Sequence, residues 1–175
     1  MVPLKVAPYL SEEKIQNRVK EMGQELTKKF QGKPVVAVCV LKGSFMFFSD
    51  LVRNINADLS LEFFGVSSYH GATSSGEVKV TLDLTRPIEG KHILLVEDIV
   101  DTGLTMNYLK SSLLSRKPAS LTTVALLEKP DSLKVPCEVD LIGFKIPNDF
   151  VVGYGLDYQG YYRHLPFIGQ VQNFQ

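Results

Sequence analysis

Residues 92–110, HILLVEDIVDTGLTMNYLK, constrain the fold of this chain more than any other stretch. They begin with a continuous apolar run at 93–96, which is typical of a strand buried on both faces, usually in a parallel sheet. Glu97 and Asp98 follow, then a short polar turn, and then a helix predicted over 106–114. This order indicates an open α/β sheet, in which ligands bind beyond the carboxyl ends of the strands.

The turn at 101–105, DTGLT, has the features of an anion site. Free backbone N–H groups at a helix start attract anions such as phosphate, and Thr102 and Thr105 add hydroxyl donors. Gly103 lets a ligand approach the backbone because no side chain intervenes. The chain contains no G-x-x-x-x-G-K-[ST] sequence, so the turn is not a Walker A loop. Carboxylates beside a phosphate site suit Mg²⁺ or sugar hydroxyls.

The simpler alternative is a strand end with solvated acids and a helix cap at Asp101, but it accounts less well for the whole pattern VEDIVDTGLT. That pattern resembles the phosphoribosyl-pyrophosphate-binding motif of the type I phosphoribosyltransferases. Two acids followed by D-T-G-x-T are similar to the 6-oxopurine branch, the hypoxanthine-guanine phosphoribosyltransferases. The resemblance implies that the 5′-phosphate and ribose are bound by Glu97, Asp98, Asp101, Thr102, Gly103, Leu104 and Thr105. It also implies that Glu97 and Asp98 bind the first Mg²⁺ and that Asp101 is the general base or proton partner at purine N7.

Composition narrows the class of protein. The 175 residues suffice for one domain with a core, and 19 Lys and Arg balance 19 Asp and Glu, so bulk charge does not favour a nucleic-acid partner. No apolar run approaches the roughly 20 residues of a membrane span, and no secretory signal begins the chain. Cys39 and Cys137 have no zinc-binding spacing. We expect a single cytoplasmic domain, 1–175, with neither nucleic-acid nor membrane partners.

The rest of the chain alternates helices and strands, apart from residues 1–10, which are predicted to be irregular. An apolar stripe predicts a helix that begins at a Ser11 cap and ends at Gly32. A second helix is predicted over 45–55. Strands are predicted at 35–41, 59–66, 77–84, 120–127 and 139–142. The family resemblance implies a central, mainly parallel, twisted sheet flanked by helices, with a small hood over its carboxyl edge formed by the N-terminal residues and about 140–175.

Lys42 and Gly43 follow the strand predicted at 35–41. A lysine at the carboxyl end of a central strand can meet a diphosphate, although a lone Lys-Gly pair is usually only a turn. The sequence LKG before an aromatic helix is similar to the diphosphate loop of the family. The resemblance implies that Lys42 and Gly43 bind diphosphate and that the Leu41–Lys42 peptide bond is cis.

Residues 67–76, SSYHGATSSG, separate two predicted strands. A loop of this length is either a mobile hairpin tip or a functional lid. Ser68 and Tyr69 are similar to the Ser-Tyr pair that begins the mobile loop of the family, which favours a lid that excludes water from the reaction centre.

Lys129 and the segment around DFVVGYGLDY complete the match. A lysine before a proline is usually a surface residue, but Lys129 corresponds to the family's lysine that donates to the 6-oxo group. The resemblance implies that Phe150 stacks on the purine, Val151 contacts its edge, Asp157 lies near the purine and reaches a second Mg²⁺, and Arg163 binds diphosphate. The remaining tyrosines are assigned to packing or loop support: Tyr154, Tyr158, Tyr161 and Tyr162.

Four motifs therefore occur in the family's order between about residues 35 and 165. They imply purine salvage, in which phosphoribosyl pyrophosphate and hypoxanthine or guanine give IMP or GMP plus diphosphate, with Mg²⁺ as cofactor. A homodimer or homotetramer is expected. Two alternatives stay open: a transferase that prefers xanthine or another base, and a non-enzymatic regulator that binds nucleic acid through the same scaffold.

Overall fold

The computed structural model describes residues 5–68 and 78–172. Within these ranges the elements are β1 (Val6–Leu10), α1 (Glu12–Lys29), β2 (Val35–Leu41), α2 (Phe45–Arg53), β3 (Leu59–Ser68), β4 (Val78–Leu82), β5 (His92–Val100), α3 (Leu104–Leu114), β6 (Ser120–Glu128), a 3₁₀ turn (Pro130–Ser132), β7 (Leu141–Lys145), β8 (Val151–Val152) and β9 (Ile168–Val171).

Six strands form a mainly parallel sheet in the order β4-β3-β2-β5-β6-β7, with β4 antiparallel to β3. This confirms the predicted central sheet. The chain passes from β2 to its neighbour β3 on one side, and from β5 to its neighbour β6 on the other. The strand order therefore reverses between β2 and β5, which creates a crevice at the carboxyl ends of these two strands.

The central strands are buried because both of their faces are apolar. Residues 93–96 of β5 are fully buried, and alternate side chains point to opposite faces. Leu94 and Val96 pack with α1 and α2, whereas Ile93 and Leu95 pack with α3. Burial on both sides fixes the position of the strand whose end carries the acidic pair.

Helix α1 begins where the sequence predicts. The Ser11 side chain accepts the Lys14 N–H at 3.3 Å, which satisfies one of the free amides of the first turn. The predicted apolar stripe is buried against the sheet, with Ile15, Val19 and Met22 fully inaccessible. The helix thus covers one face of the sheet and contributes to its core.

A second, antiparallel sheet has the order β1-β9-β8 and agrees with the predicted hood. The prediction that residues 1–10 are irregular is wrong, because Val6–Leu10 pairs with Ile168–Val171. Pro8 disfavours a strand in the interior of a sheet, but β1 is an edge strand, where proline is tolerated. Its pairing partner lies at the far end of the chain. Local pattern alone does not reveal such a pairing.

Several element boundaries differ from the sequence prediction. Helix α2 ends at Arg53 rather than at residue 55, β4 ends at Leu82 rather than at residue 84, and β6 ends at Glu128 rather than at residue 127. Helix α3 begins at Leu104, two residues early, because Gly103 adopts a left-handed cap with φ of 83°. Strand β7 lies at Leu141–Lys145 rather than 139–142. Strand β3 continues to Ser68, so the first two residues of the predicted lid pair with β4. Tyr69 and the rest of the lid lie outside the described residues.

Cys39 is a buried strand residue, as its apolar surroundings predict, and burial raises the pKa of its thiol to about 11. Cys137 is partly buried, and both cysteines are free thiols. In the part of the chain that the structure describes, no helix combines the length and apolar character needed to cross a membrane.

Asp50 on α2 makes the stability of the fold depend on pH. Burial, the largest effect, raises the pKa of Asp50, but hydrogen bonds from Tyr154, Gln16 and Arg53 together hold it below its usual value. A carboxyl whose folded-state pKa is lowered contributes stability above its unfolded pKa, about 3.9, and that contribution is lost as pH falls through the folded-state value. We expect Asp50→Asn to flatten the decline in unfolding free energy below about pH 4, measured by urea titration at successive pH values. An unchanged pH slope would contradict this.

Candidate active site

Two adjoining cavities occupy the crevice between β2 and β5. The first has a volume of about 280 Å³ and the second about 260 Å³, and Gly43, Asp98 and Ile99 line both. The first cavity also brings together Asp101, Lys129, Phe150, Val151, Asp157 and Arg163. The second brings together Lys42, Glu97 and Thr105. Residues predicted from four separated motifs therefore meet at the switch point of the sheet.

The acidic pair lies within β5 rather than after it. Glu97 is only 6% exposed, and its Oε1 accepts the Asp98 N–H at 3.0 Å. Burial, and then the charge of Asp98, raises the pKa of Glu97 well above its usual value. Burial also raises the pKa of Asp98, although hydrogen bonds and the charge of Arg163 act in the opposite direction. Two crowded carboxyls of this kind favour a bound cation.

Gly43 lies directly against this pair. A Cβ at Gly43 would stand 1.5 Å from Asp98 Oδ2, so a side chain at this position would have to displace the Asp98 carboxylate or the loop. The preceding bond, Leu41–Lys42, is a cis peptide, as the resemblance implies. Lys42 itself is exposed at the mouth of the second cavity. The loop after β2 thus presents a lysine and a bare backbone beside the Asp98 carboxylate.

The turn after β5 is held in place by the segment that follows Lys129. The Thr102 carbonyl accepts the Lys134 N–H at 3.0 Å, and Thr102 Oγ1 accepts the Leu104 N–H at 3.4 Å. A Cβ at Gly103 would lie 2.9 Å from Cys137 Cβ. The first amides of α3 lack helical partners, as at any helix start. Thr105 lines the second cavity, whereas Thr102, Gly103 and Leu104 are not among the lining residues of either cavity.

Lys129 and Asp101 form an ion pair in the lining of the first cavity. The Lys129 N–H donates to the Val100 carbonyl at 2.9 Å, which anchors the end of β6 to the end of β5. Its Nζ lies 3.7 Å from Asp101 Oδ2, and the two side chains are 9% and 49% exposed. The predicted purine-binding lysine and the predicted proton acceptor therefore share one cavity.

Phe150 and Val151 form another wall of the first cavity. The Phe150 ring meets the Tyr158 ring edge to face, with centroids 5.9 Å apart. Val151 is buried in β8, where it pairs with Gln170 of β9. The hood thus places an aromatic ring and a strand edge where a flat heterocycle can stack.

Asp157 and Arg163 form an ion pair. Arg163 Nη2 lies 2.7 Å from Asp157 Oδ1, and Arg163 Nη1 donates to the Gly155 carbonyl at 2.6 Å. The second Asp157 oxygen accepts the Gly160 N–H at 2.6 Å. A metal ion or a diphosphate must therefore compete with these contacts to engage either side chain.

The carboxylate oxygens of the site suit Mg²⁺. Among residues 5–68 and 78–172, no cluster of three or more His, Cys, Asp or Glu side chains is arranged as a metal site. Mg²⁺, however, commonly binds through one or two carboxylates plus substrate phosphates. Glu97 and Asp98 supply oxygen donors at one cavity, and Asp157 supplies oxygens at the other.

Ile99 and Leu156 also line the first cavity, and sequence reasoning missed both. Each lies inside a motif that was singled out for its polar or aromatic residues. Ile99 could have been predicted as a site residue, because it lies between Asp98 and Asp101 at the end of the strand. Apolar residues enclosed by two functional residues at a strand end are candidates for a cavity wall.

A mainly parallel sheet with an antiparallel hood, and with acidic and glycine-containing turns at its switch point, defines the type I phosphoribosyltransferase class. Residues 6–159 match the family model described as phosphoribosyl transferase domain. This match covers all of the predicted motifs except Arg163.

Individual relatives narrow the class further. The chain is 52% identical over 164 residues to the hypoxanthine-guanine phosphoribosyltransferase of Staphylococcus aureus strain Mu50, covering 93% of this chain and 92% of the relative. A crystal structure of a hypoxanthine phosphoribosyltransferase from Staphylococcus aureus aligns with a TM-score of 0.91 and 52% identity, covering 97% and 92% of the two chains. A Bacillus anthracis hypoxanthine-guanine phosphoribosyltransferase with HEPES in its active site aligns with a TM-score of 0.91 and 42% identity, covering 97% and 100%. The chain belongs to the hypoxanthine-guanine phosphoribosyltransferase family.

Proposed function

We propose that the protein transfers the 5-phosphoribosyl group of phosphoribosyl pyrophosphate to N9 of hypoxanthine and/or guanine. The bond from the sugar carbon to diphosphate breaks, the bond from that carbon to N9 forms, and the purine loses a proton. The products are IMP or GMP and diphosphate. The observation that carries this proposal is the meeting of Asp98, Asp101, Lys129 and Phe150 in one cavity of a chain with 52% identity to a hypoxanthine-guanine phosphoribosyltransferase.

The direct test uses the purified protein with hypoxanthine, phosphoribosyl pyrophosphate and Mg²⁺. We expect IMP and diphosphate to appear in equal amounts, measured by chromatography and by a coupled diphosphate assay. The same assay with guanine or xanthine in place of hypoxanthine ranks the substituents at purine C2 that the site accepts. Absence of nucleotide with every 6-oxopurine would contradict the proposal.

The sugar phosphate is proposed to bind at the start of α3. The amides of residues 101–105 and the hydroxyls of Thr102 and Thr105 hold the 5′-phosphate, because a helix start concentrates N–H donors and a positive partial charge. Glu97 and Asp98 accept hydrogen bonds from the ribose hydroxyls. Their negative charge also stabilises the positive charge that develops on the sugar carbon as diphosphate departs.

Glu97, Asp98 and Asp157 are the residues that would hold Mg²⁺. When bound, the ion neutralises negative charge on the departing diphosphate. Lys42, the Gly43 amide and Arg163 are the protein's own groups for the same task. Arg163 must exchange its contact with Asp157 for the diphosphate, which also releases an oxygen of Asp157.

The purine is proposed to lie in the first cavity, where Phe150 stacks on its face and Val151 contacts its edge. Asp101 accepts the proton at N7. Lys129 donates to the 6-oxo group and disfavours a 6-amino group, because lysine has donors only and an amine offers donors in return.

Lys129→Ala should weaken the binding of the purine selectively. Loss of a hydrogen bond from a charged donor costs about 1.5–3 kcal/mol, so we expect the KM for hypoxanthine to rise by roughly 10- to 100-fold. The KM for phosphoribosyl pyrophosphate should change little, because Lys129 is not among the predicted phosphate ligands. Steady-state kinetics with each substrate varied in turn measure both. Lys134→Ala, at an exposed lysine nearby, is the matched control. A variant weakened only toward phosphoribosyl pyrophosphate would show that Lys129 is misplaced.

The segment 67–76, which includes Ser68 and Tyr69, is proposed as a lid that excludes water during transfer.

Residues 1–175 are proposed to act as one domain. Supporting this, Val151, Tyr154 and Ile168 of the hood belong to the same apolar cluster as Leu94 and Val96 of β5. Two free cysteines support a reducing cytoplasm as the compartment.

A homodimer or homotetramer is also proposed. Leu104, Tyr108 and Leu114 of α3 are 38%, 37% and 53% exposed, and such exposed apolar residues on one helix suit a subunit contact. Light scattering coupled to size exclusion measures the assembly, and a monomer at micromolar concentration would contradict the proposal.

A further inference from the structure

Tyr154 is a buried phenol with a defined partner on a distant element. The side chain is 5% exposed, and its hydroxyl donates to Asp50 Oδ2 at 2.5 Å across 104 residues of sequence. Asp50 lies on α2, where the Gln16 side chain donates to the same oxygen at 2.9 Å and Arg53 binds the other oxygen. The hydrogen bond joins residues 149–158, the proposed purine segment, to the helix that follows Lys42 and Gly43, the proposed diphosphate loop.

The backbones of these two segments touch at the next residue along the chain. A Cβ at Gly155 would lie 2.0 Å from the Gly43 carbonyl oxygen, so the purine segment packs on the diphosphate loop without an intervening side chain. Gly43 in turn lies against Asp98, and the Gly155 N–H donates to the Arg163 carbonyl at 2.9 Å. Asp98 of β5 therefore contacts the diphosphate loop, and the diphosphate loop contacts the purine segment.

We propose that Tyr154 and Asp50 are positioning residues, which fix the purine segment against the Lys42–Gly43 loop through their hydrogen bond. Neither side chain is among the residues that line the two cavities, so both act through their neighbours. The bond sets the distance between the purine subsite and the diphosphate subsite. This inference rests on the proposed function, since it assigns the two segments to the two substrates.

Positioning predicts a particular kinetic result for Tyr154→Phe, which keeps the ring and removes only the hydroxyl. Each substrate still meets its own subsite, so the KM values for hypoxanthine and phosphoribosyl pyrophosphate should stay within about threefold of wild type. The alignment between the two subsites is loosened, and small misplacements of reacting atoms reduce rates steeply. We therefore expect kcat to fall by about tenfold, measured well below the unfolding midpoint.

Gln16→Met is the matched control, because it removes a hydrogen bond to the same Asp50 oxygen while keeping the Tyr154 hydroxyl and its bond to Asp50. Asp50→Asn is the conservative variant, because its amide oxygen can still accept from Tyr154. We expect both Gln16→Met and Tyr154→Phe to lower the unfolding midpoint. The kcat of Gln16→Met should nevertheless stay within twofold of wild type. Asp50→Asn should keep kcat within about threefold.

Three outcomes would overturn the inference. They are a Tyr154→Phe protein with wild-type kcat, a Gln16→Met protein with the same loss of kcat, or an Asp50→Asn protein as impaired as Tyr154→Phe. If Tyr154→Phe does not fold, Asp50→Ala replaces it, with the same expected loss of kcat and the same contradicting result. A wild-type protein without transferase activity would instead overturn the proposed function, so the two failures are distinguishable.

Discussion

Asp101→Asn should lower kcat for nucleotide formation by about 10²–10⁴-fold, the usual contribution of a positioned general base. The Asp101 carboxylate lies in the first cavity, 3.7 Å from Lys129 Nζ, where we place the purine. A carboxamide of the same shape cannot accept the proton from the purine. The KM for phosphoribosyl pyrophosphate should remain close to wild type, because the proposed phosphate ligands are the amides and hydroxyls of 101–105, and these are retained.

Single-turnover and steady-state kinetics separate the two effects. Asp131→Asn, at an exposed acid in the 3₁₀ turn that follows Lys129, is the control for a general change in local charge. Its kcat should equal that of wild type. An Asp101→Asn protein with an unchanged rate would remove Asp101 from the mechanism.

Gly43→Ala should abolish at least about 99% of the activity, because the added carbon displaces a proposed substrate ligand. The new Cβ would stand 1.5 Å from Asp98 Oδ2, so either the carboxylate or the loop after β2 must move. Both are proposed substrate ligands, and displacement by about 1 Å costs on the order of 10²-fold in rate. We expect kcat/KM for phosphoribosyl pyrophosphate to carry the loss, measured with Mg²⁺ and hypoxanthine saturating.

Gly90→Ala is the matched control for this substitution. Gly90 lies before β5, at the opposite end of the sheet, and a Cβ there meets no atom within 4 Å. Its positive φ of 70° predicts a loss of stability of about 1 kcal/mol with unchanged kinetics. Full activity in Gly43→Ala would show that the loop does not contact the substrate.

The central sheet was predictable from sequence because its strands bury both faces. The bounds predicted for β2, 35–41, are those observed, and continuous apolar runs also located β5 and β6. The hood was less predictable, since β1 contains Pro8 and pairs with Ile168–Val171 at the other end of the chain. Such pairing depends on tertiary contacts rather than on local periodicity.

The residues of the candidate site were likewise predictable where they lie close together in sequence, whereas contacts between distant segments were not. Residue types and spacing predicted Glu97, Asp98 and Asp101 as site residues, because strand, acids, turn and helix are contiguous in sequence, and these residues line the two cavities. The contact of Gly155 with Gly43 and the hydrogen bond of Tyr154 to Asp50 join segments about a hundred residues apart. The sequence accordingly assigns Tyr154 to packing or loop support, and its partner in the folded chain indicates a positioning role.

The central claim is that one buried strand brings two carboxylates and the free amides of a helix start to the same phosphorylated sugar. A crystal structure of the protein with IMP bound tests it most directly. We expect the 5′-phosphate to lie within hydrogen-bond distance, about 2.7–3.2 Å, of the amides between Thr102 and Thr105, with the ribose hydroxyls at Glu97 and Asp98. A phosphate bound elsewhere, with this turn facing only water, would contradict the account.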